Sequence, residues 1–440
     1  MAQSHVFAGV GGYYGGNEGN LAGVFRRKAD SAEWTHVLTE PEAYTVFVHP
    51  RDPSLVLAGT KDGIYRSTDG GASFKRANFP DSGVQIWSFL ADPADTKQIL
   101  AGGSPVSIYR SNDGGANWAR QTDPKLPDRG KAPFAVRVMR FARHPGRPNE
   151  IYAALEIGGV MRSSDGGDSW SDCSDHLIRL SVEEPRLRSK IVSDTEAEGM
   201  LDGHAICMST ANPDSVILAV RMGLFRSHGK SKTWEDLRVD RFSPFTYGRD
   251  IKVSPQDPNT LYACLSVAAS SKNGALYRSR DIGKTWQRFD KVQPHGTLMS
   301  VSLHHSDAKQ VYIAARYGEV FGTQDGGETW RETPLPAGVQ RVYALACGRL
   351  RLIFEIRLHG TGELNGQWIA VTVPALADRD ADPAFADAVF LHIGPLDATK
   401  PDADLALKLF GVVKRAPRIV GEAVRRDIGV GHSKLSLIYH

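Results

Sequence analysis

One eight-residue string, Ser-x-Asp-Gly-Gly-x-x-aromatic, returns along this chain and limits its fold more than any other feature. It is intact at Ser67–Phe74, Ser111–Trp118 and Ser163–Trp170, and Thr323–Trp330 differs only in its first residue. Ser279–Trp286 keeps Asp281 and Gly283 around Ile282, whereas Ser227–Trp234 keeps its ends around Gly229, Lys230 and Ser231. Near the N-terminus only Trp34 survives, preceded by Val24-Phe25-Arg26. The closing aromatics at 34, 74, 118, 170, 234, 286 and 330 are 40, 44, 52, 64, 52 and 44 residues apart. A period of this size is one supersecondary unit that must stack on its neighbours to bury its apolar faces.

Each unit carries the same order of signals: an apolar strand, a Pro/Asp turn such as His49-Pro50-Arg51-Asp52-Pro53, a second apolar strand, a loop, a third strand, the Asp-Gly-Gly turn and a last strand. Four short strands per unit, repeated seven times, predict an all-β, seven-bladed β-propeller. The 44 glycines and 24 prolines of the 440 residues argue against a helical bundle. Unit one opens directly on a second-strand pattern, Ser4 to Val10, and a strand without a unit, Arg341 to Cys347, follows the last repeat. The late strand is therefore expected to enter blade one by strand exchange and close the ring, which removes exposed sheet edges. This places the propeller at residues 1–348.

In the turn motif the carboxylate can accept backbone N–H groups of its own turn, the glycines permit positive φ, and the aromatic covers the hairpin base. The motif resembles the Asp box, or bacterial neuraminidase repeat, of sialidases, sortilin-type receptors, xyloglucanases and photosystem II assembly factor propellers. The resemblance covers about residues 5 to 348. It implies that Asp69, Asp113, Asp165, Asp281 and Asp325 are structural, because in those families the boxes lie opposite the active face. One carboxylate per turn falls short of the six to eight oxygens of a calcium site, and neither a metal nor a cofactor is expected.

With the boxes on a lower face, the loops from strand two to three and from strand four to the next blade form the upper face, where function is to be sought. The longest such insertion follows Trp170 and holds Arg186, Arg188, Lys190, Asp194, Glu196, Glu198 and Asp202. Two others carry Tyr13, Tyr14, Asn17 and Glu18, and Lys272 and Asn273. Alignment on the Pro/Asp turn makes Tyr44, Trp87, Met139, His204, Arg249 and Met299 equivalent, with Glu42, Gln85, Arg137, Asp202, Tyr247 and Thr297 two residues earlier. Glu156, Arg221 and Arg316 end second strands. These groups are expected to line a polar funnel, with Tyr44, Trp87, Arg137, His204, Arg221, Arg249 and Arg316 as ligand-binding residues.

Sialidases use an arginine triad, a tyrosine with an adjacent glutamate, and an aspartate, the first arginine in a Phe/Tyr-Arg-Ile-Pro motif; this chain has no such motif. Glu156, Asp194 and Asp202 are candidate catalytic carboxylates, but enzyme status stays open on sequence grounds, since the spacing a glycosidase pair requires is a three-dimensional quantity. The reading favoured is a binding or assembly propeller for a protein segment or an anionic or sugar ligand; the alternative is a glycoside hydrolase or lyase of the same superfamily.

A net charge of +3 from 53 basic and 50 acidic residues gives no reason to expect nucleic acid or a membrane as partner. Without a secretory pattern or a long apolar run, a cytoplasmic monomer is expected. Cys173, Cys207, Cys264 and Cys347 lie far apart and read as reduced core thiols. From Arg349 the repeat stops. Leu350 to Leu358 alternates as a strand that Gln367 to Val373 is expected to pair, and Leu405 to Val413 fits helix and strand periods equally. Residues 349–440 read as either a small accessory segment or a poorly ordered tail, with the tail preferred.

Overall fold

The structure, a computed structural model, describes residues 4–12, 21–127, 129, 134–191, 195–339 and 341–349, together with the backbone of five strands between 355 and 438. The chain divides into two compact units, Ser4–Leu350 and a second that holds Arg351–His440 with Met1–Gln3.

The first unit is a ring of seven four-stranded antiparallel sheets. Blade two is representative: Ala43–Val48 lies innermost, followed outward by Val56–Thr60, Gly63–Ser67 and the two-residue Lys75–Arg76. Second strands are buried on both faces, as all of Val56–Thr60 and Val311–Ala315 are. A blade is covered by a neighbour on each side, so these strands read as unbroken apolar runs instead of alternating ones. Between blades two and three, Leu57, Ile64, Ile86, Ile99 and Tyr109 pack into one cluster; a fully buried leucine such as Leu57 contributes about 1.5–3 kcal/mol. Ring closure is by strand exchange. Val342–Arg349 pairs antiparallel with Ser4–Val10, Val6 opposite Cys347 and Ser4 opposite Arg349, and forms the inner strand of blade one.

The box turns join the third and fourth strands. In blade four the Ser163 hydroxyl donates to Asp165 Oδ1 at 2.7 Å and accepts the Gly167 N–H at 2.8 Å. Asp165 Oδ1 accepts the N–H groups of Asp168 and Ser169. The same pattern holds at Asp69, Asp113 and Asp281, and Asp325 accepts from Thr323, Thr329 N–H and the Thr329 hydroxyl. The second box glycine meets two demands at once: Gly115 has φ of 84°, and a Cβ there would lie 2.9 Å from Leu57 of the preceding blade. An arginine three residues ahead of the box aspartate in blades two and three reaches over the seam to the next box. Arg66 donates to the Gly114 carbonyl at 2.8 Å and Arg110 to that of Gly166 at 2.9 Å.

In the second unit Glu355–His359 pairs with Lys434–Ile438, and Trp368–Thr372, Phe385–Ile393 and Leu407–Pro417 form a three-stranded sheet. This corrects the expected pairing of 350–358 with 367–373: Trp368–Thr372 pairs instead with the strand that follows it in sequence, the commonest arrangement for consecutive strands. The segment 405–413, ambiguous in period, is strand from Leu407. Residues 350–354 of the expected strand lie outside the described residues.

Candidate functional site

Every inner strand carries a bulge, and the bulges occur at equivalent places. The pairing register skips Tyr44, Trp87, Met139, His204, Arg249 and Met299 on six inner strands, and Tyr343 on the closing strand. A bulged residue has no partner in the ladder and is re-aimed by the bend. Here all seven side chains turn to one place, around a void of about 20 Å³. The Tyr44 and Trp87 rings stack at 4.3 Å, and Tyr343 meets both edge-on at 5.5 and 5.4 Å.

Of the residues expected to line a polar funnel, Tyr44, Trp87, His204 and Arg249 are buried across the axis, because seven inward side chains, among them Tyr44, Trp87 and Tyr343, fill the space that the inner strands leave. The tier two residues earlier ties this plug down. Glu42 Oε2 accepts the Tyr44 hydroxyl at 2.8 Å and Gln85 Oε1 the Trp87 indole N–H at 3.2 Å. Arg137 lies over the Trp87 ring, 4.3 Å from its centre.

On the side of blades four to six the plug merges with a charged network. Arg137 Nη1 lies 2.6 Å from Glu156 Oε2, and Arg249 Nη1 lies 4.0 Å from Glu156 Oε1. Asp202 Oδ2 is met by Arg221 Nε at 3.0 Å and by His204 Nε2 at 3.4 Å. The Gly248 carbonyl accepts from His204 Nδ1 at 2.7 Å, which fixes a proton on that nitrogen, and the Tyr247 hydroxyl sits 3.2 Å from Nε2. Burial pushes Asp202 up, but His204 and Arg221 outweigh it and hold the carboxyl below its ordinary range. Burial also acts on the Tyr247 phenol, raising it well above its usual value.

Glu156, Asp202 and His204 present donor atoms within 4.8 Å of one another, close enough for one ion. Their charge is already balanced by Arg137, Arg221 and Arg249, which a divalent cation would have to displace. Asp194, Tyr13, Tyr14 and Asn17 lie outside the described residues.

Arg316 sits apart from the carboxylates. Its Nη1 donates to the Ala269 carbonyl at 2.6 Å, and it has no ion pair among the described residues. Burial and repulsion by Arg341 both lower its basicity. Beside it Tyr317 and Val267 are more than half exposed, and the Tyr317 hydroxyl is 2.7 Å from Ser270 Oγ. Sequence reasoning missed Tyr343, which the strand exchange brings into the plug, and the ledge of Val267 and Tyr317; in the sequence these apolar residues look like parts of strands.

Among the cysteines, Cys264 and Cys347 are buried, Cys173 and Cys207 half-buried, and all four are free thiols. Burial, with nearby Asp172, pushes Cys173 up to about 11. No helix among the described residues is long and apolar enough to cross a membrane.

Comparison with known proteins agrees with the architecture. A family model described as sortilin, neurotensin receptor 3, matches residues 274–349. A xyloglucanase of Acetivibrio thermocellus is 26% identical over 225 residues, 44% of this chain and 24% of the relative. A vacuolar protein sorting/targeting protein 10 of Ajellomyces capsulatus is 34% identical over 70 residues, 16% of this chain and 5% of that protein. The chain thus spans a quarter or less of the length of these relatives. Among solved structures, a xyloglucanase from Xanthomonas campestris superposes with a TM-score of 0.51 at 14% identity, covering 85% of this chain and 61% of the other. Fold and matches together support an Asp-box-type β-propeller superfamily that includes sortilin-like and glycosyl hydrolase-like chains.

Proposed function

We propose that the protein is a binding or assembly propeller whose upper face receives an anionic group carried by a protein segment or a sugar. The observation that carries this reading is the division of charge at the mouth. Glu156 and Asp202 are held by Arg137, Arg249, Arg221 and His204, which suits them to fixing the plug and leaves Asp202 poorly suited to hold a proton for a leaving group. Arg316 has a carbonyl as partner, and Tyr317 and Val267 give it an apolar border. With the axis filled, the ligand lies across the surface, not down a channel. The reading includes a monomer in the cytoplasm, outside the sialidases, whose opening arginine motif is missing.

A second reading, a glycoside hydrolase, is favoured by the xyloglucanase matches. Incubation with xyloglucan, sialosides and aryl glycosides, beside calorimetric titration with acidic peptides, separates the two. Binding weakened about tenfold in Arg316→Gln, the loss of one charge-assisted contact, with no turnover, is the expected result. Turnover abolished by Glu156→Gln or Asp202→Asn in a protein that still melts normally overturns it.

A further inference from the structure

Six blades carry an arginine just ahead of the box, Arg26, Arg66, Arg110, Arg162, Arg226 and Arg278, and the seventh does not. Arg66, Arg110, Arg226 and Arg278 each donate to a carbonyl of the next blade's box turn. Between blade seven and blade one the corresponding residue is Gly322, and the turn it would reach, 27–34, has lost the motif. A cleft of about 380 Å³ occupies this seam, on the side opposite the plug and its arginines.

Its wall holds a cation that makes no ion pair among the described residues. Arg27 is 3% exposed, stacks between Trp34 and Tyr312, and uses Nη1 alone to serve the carbonyls of Lys28, Ala29 and Ser31. Neither Nε nor Nη2 has a hydrogen-bond partner among the described residues, and a Cβ on Gly322 would lie 3.6 Å from Nη2. The Nε–Nη2 edge, the fork that suits a carboxylate, therefore faces the place vacated by the missing side chain. Among the described residues no carboxylate oxygen pairs with Arg27; Asp30 is nearby but exposed, and Arg331 adds a second guanidinium.

A desolvated guanidinium edge is costly unless an acceptor meets it. We propose that the cleft between blades seven and one is a second binding site, for a carboxylate seated on the Nε–Nη2 edge of Arg27. The carboxylate can belong to a small free acid or to an acidic side chain of a protein segment.

The test is calorimetry on the full chain with succinate, its uncharged diamide and an acetylated peptide holding one glutamate. Saturable binding of succinate or the peptide with a Kd on the order of 1 mM is expected, in keeping with one charge-assisted fork on a small ligand, and none of the diamide. The tighter of the two acids identifies the source of the carboxylate. Arg27→Lys keeps the charge and removes the fork, so affinity at the cleft falls tenfold or more. Arg316→Gln, on the opposite face, weakens acidic peptides at the upper face and leaves the Arg27-dependent component of binding in place, which separates the two readings. Binding equal for acid and diamide, no binding at all, or wild-type affinity in Arg27→Lys overturns the proposal, and the first two hold even if Arg27→Lys does not fold.

Discussion

At the scale of the residue, the box aspartates show how much one carboxylate can organise. Burial tends to raise Asp165, but bonds from Ser169, Ser163 and Asp168 bring it down to about 2. A carboxyl depressed on folding contributes stability above its ordinary value of 3.8 that is lost as pH falls through the folded value. Asp165→Ala should therefore cost about 1–2 kcal/mol near neutrality, leave ligand binding intact, and melt progressively closer to wild type as pH approaches 2. Thermal melts across pH check all three points. Lys230 offers the opposite experiment. It is exposed and sits at φ of 59° where the intact boxes have glycine; Lys230→Gly should raise stability by about 1 kcal/mol, the order of the left-handed penalty. Such positions were legible because the motif states its own chemistry. Arg27 was not: an arginine in the box serine's place reads as a surface charge, and only the packing of Trp34 and Tyr312 around it shows otherwise.

At the scale of the element, the turns between first and second strands repeat a device in varied residues. His49 Nδ1 accepts the N–H groups of Arg51 and Asp52, His144 Nδ1 those of Gly146 and Arg147, and Asp92 Oδ1 those of Ala94 and Asp95. A protonated Nδ1 can only donate, so the histidine version of the turn fails in acid. Burial lowers His49, with Arg51 adding to it and Asp52 opposing. The unfolded chain then binds the proton more readily, and stability is lost as pH falls below about 6.5 toward the folded value. His49→Asp, which copies the turn of blade three, should keep the melting temperature at pH 7 within a few degrees and flatten its decline between pH 7 and 5. An equal decline in variant and wild type would rule the turn out as the cause. Strands, turns and their seven-fold order were readable from apolar runs and Pro/Asp signals. The bulges were not, since one extra residue in a strand changes register without changing composition; alignment made Tyr44, Trp87 and His204 equivalent but gave no sign that they meet on the axis.

At the scale of the whole molecule, the ring is complete with Val342–Arg349, and the chain beyond it belongs to another compact unit. We expect a stop codon after Leu350 to leave a propeller that melts within about 2 °C of the full chain, a shift smaller than 1 kcal/mol would cause. A stop before Val342 should give an aggregating product, because the edge of Ser4–Val10 is then unpaired. Limited proteolysis and melting of the two truncations distinguish these outcomes, and a large loss on removing 351–440 would make that segment part of the propeller. The exchange that closes the ring also decides how it answers mechanical force. Ser4 and Arg349 are opposite one another at the same end of the ladder, so tension between the two ends of the propeller loads its hydrogen bonds one rung at a time, as a zipper is opened, and not in parallel as in shear. A domain sealed this way resists heat through its whole circumference but yields to a modest pull at a single seam.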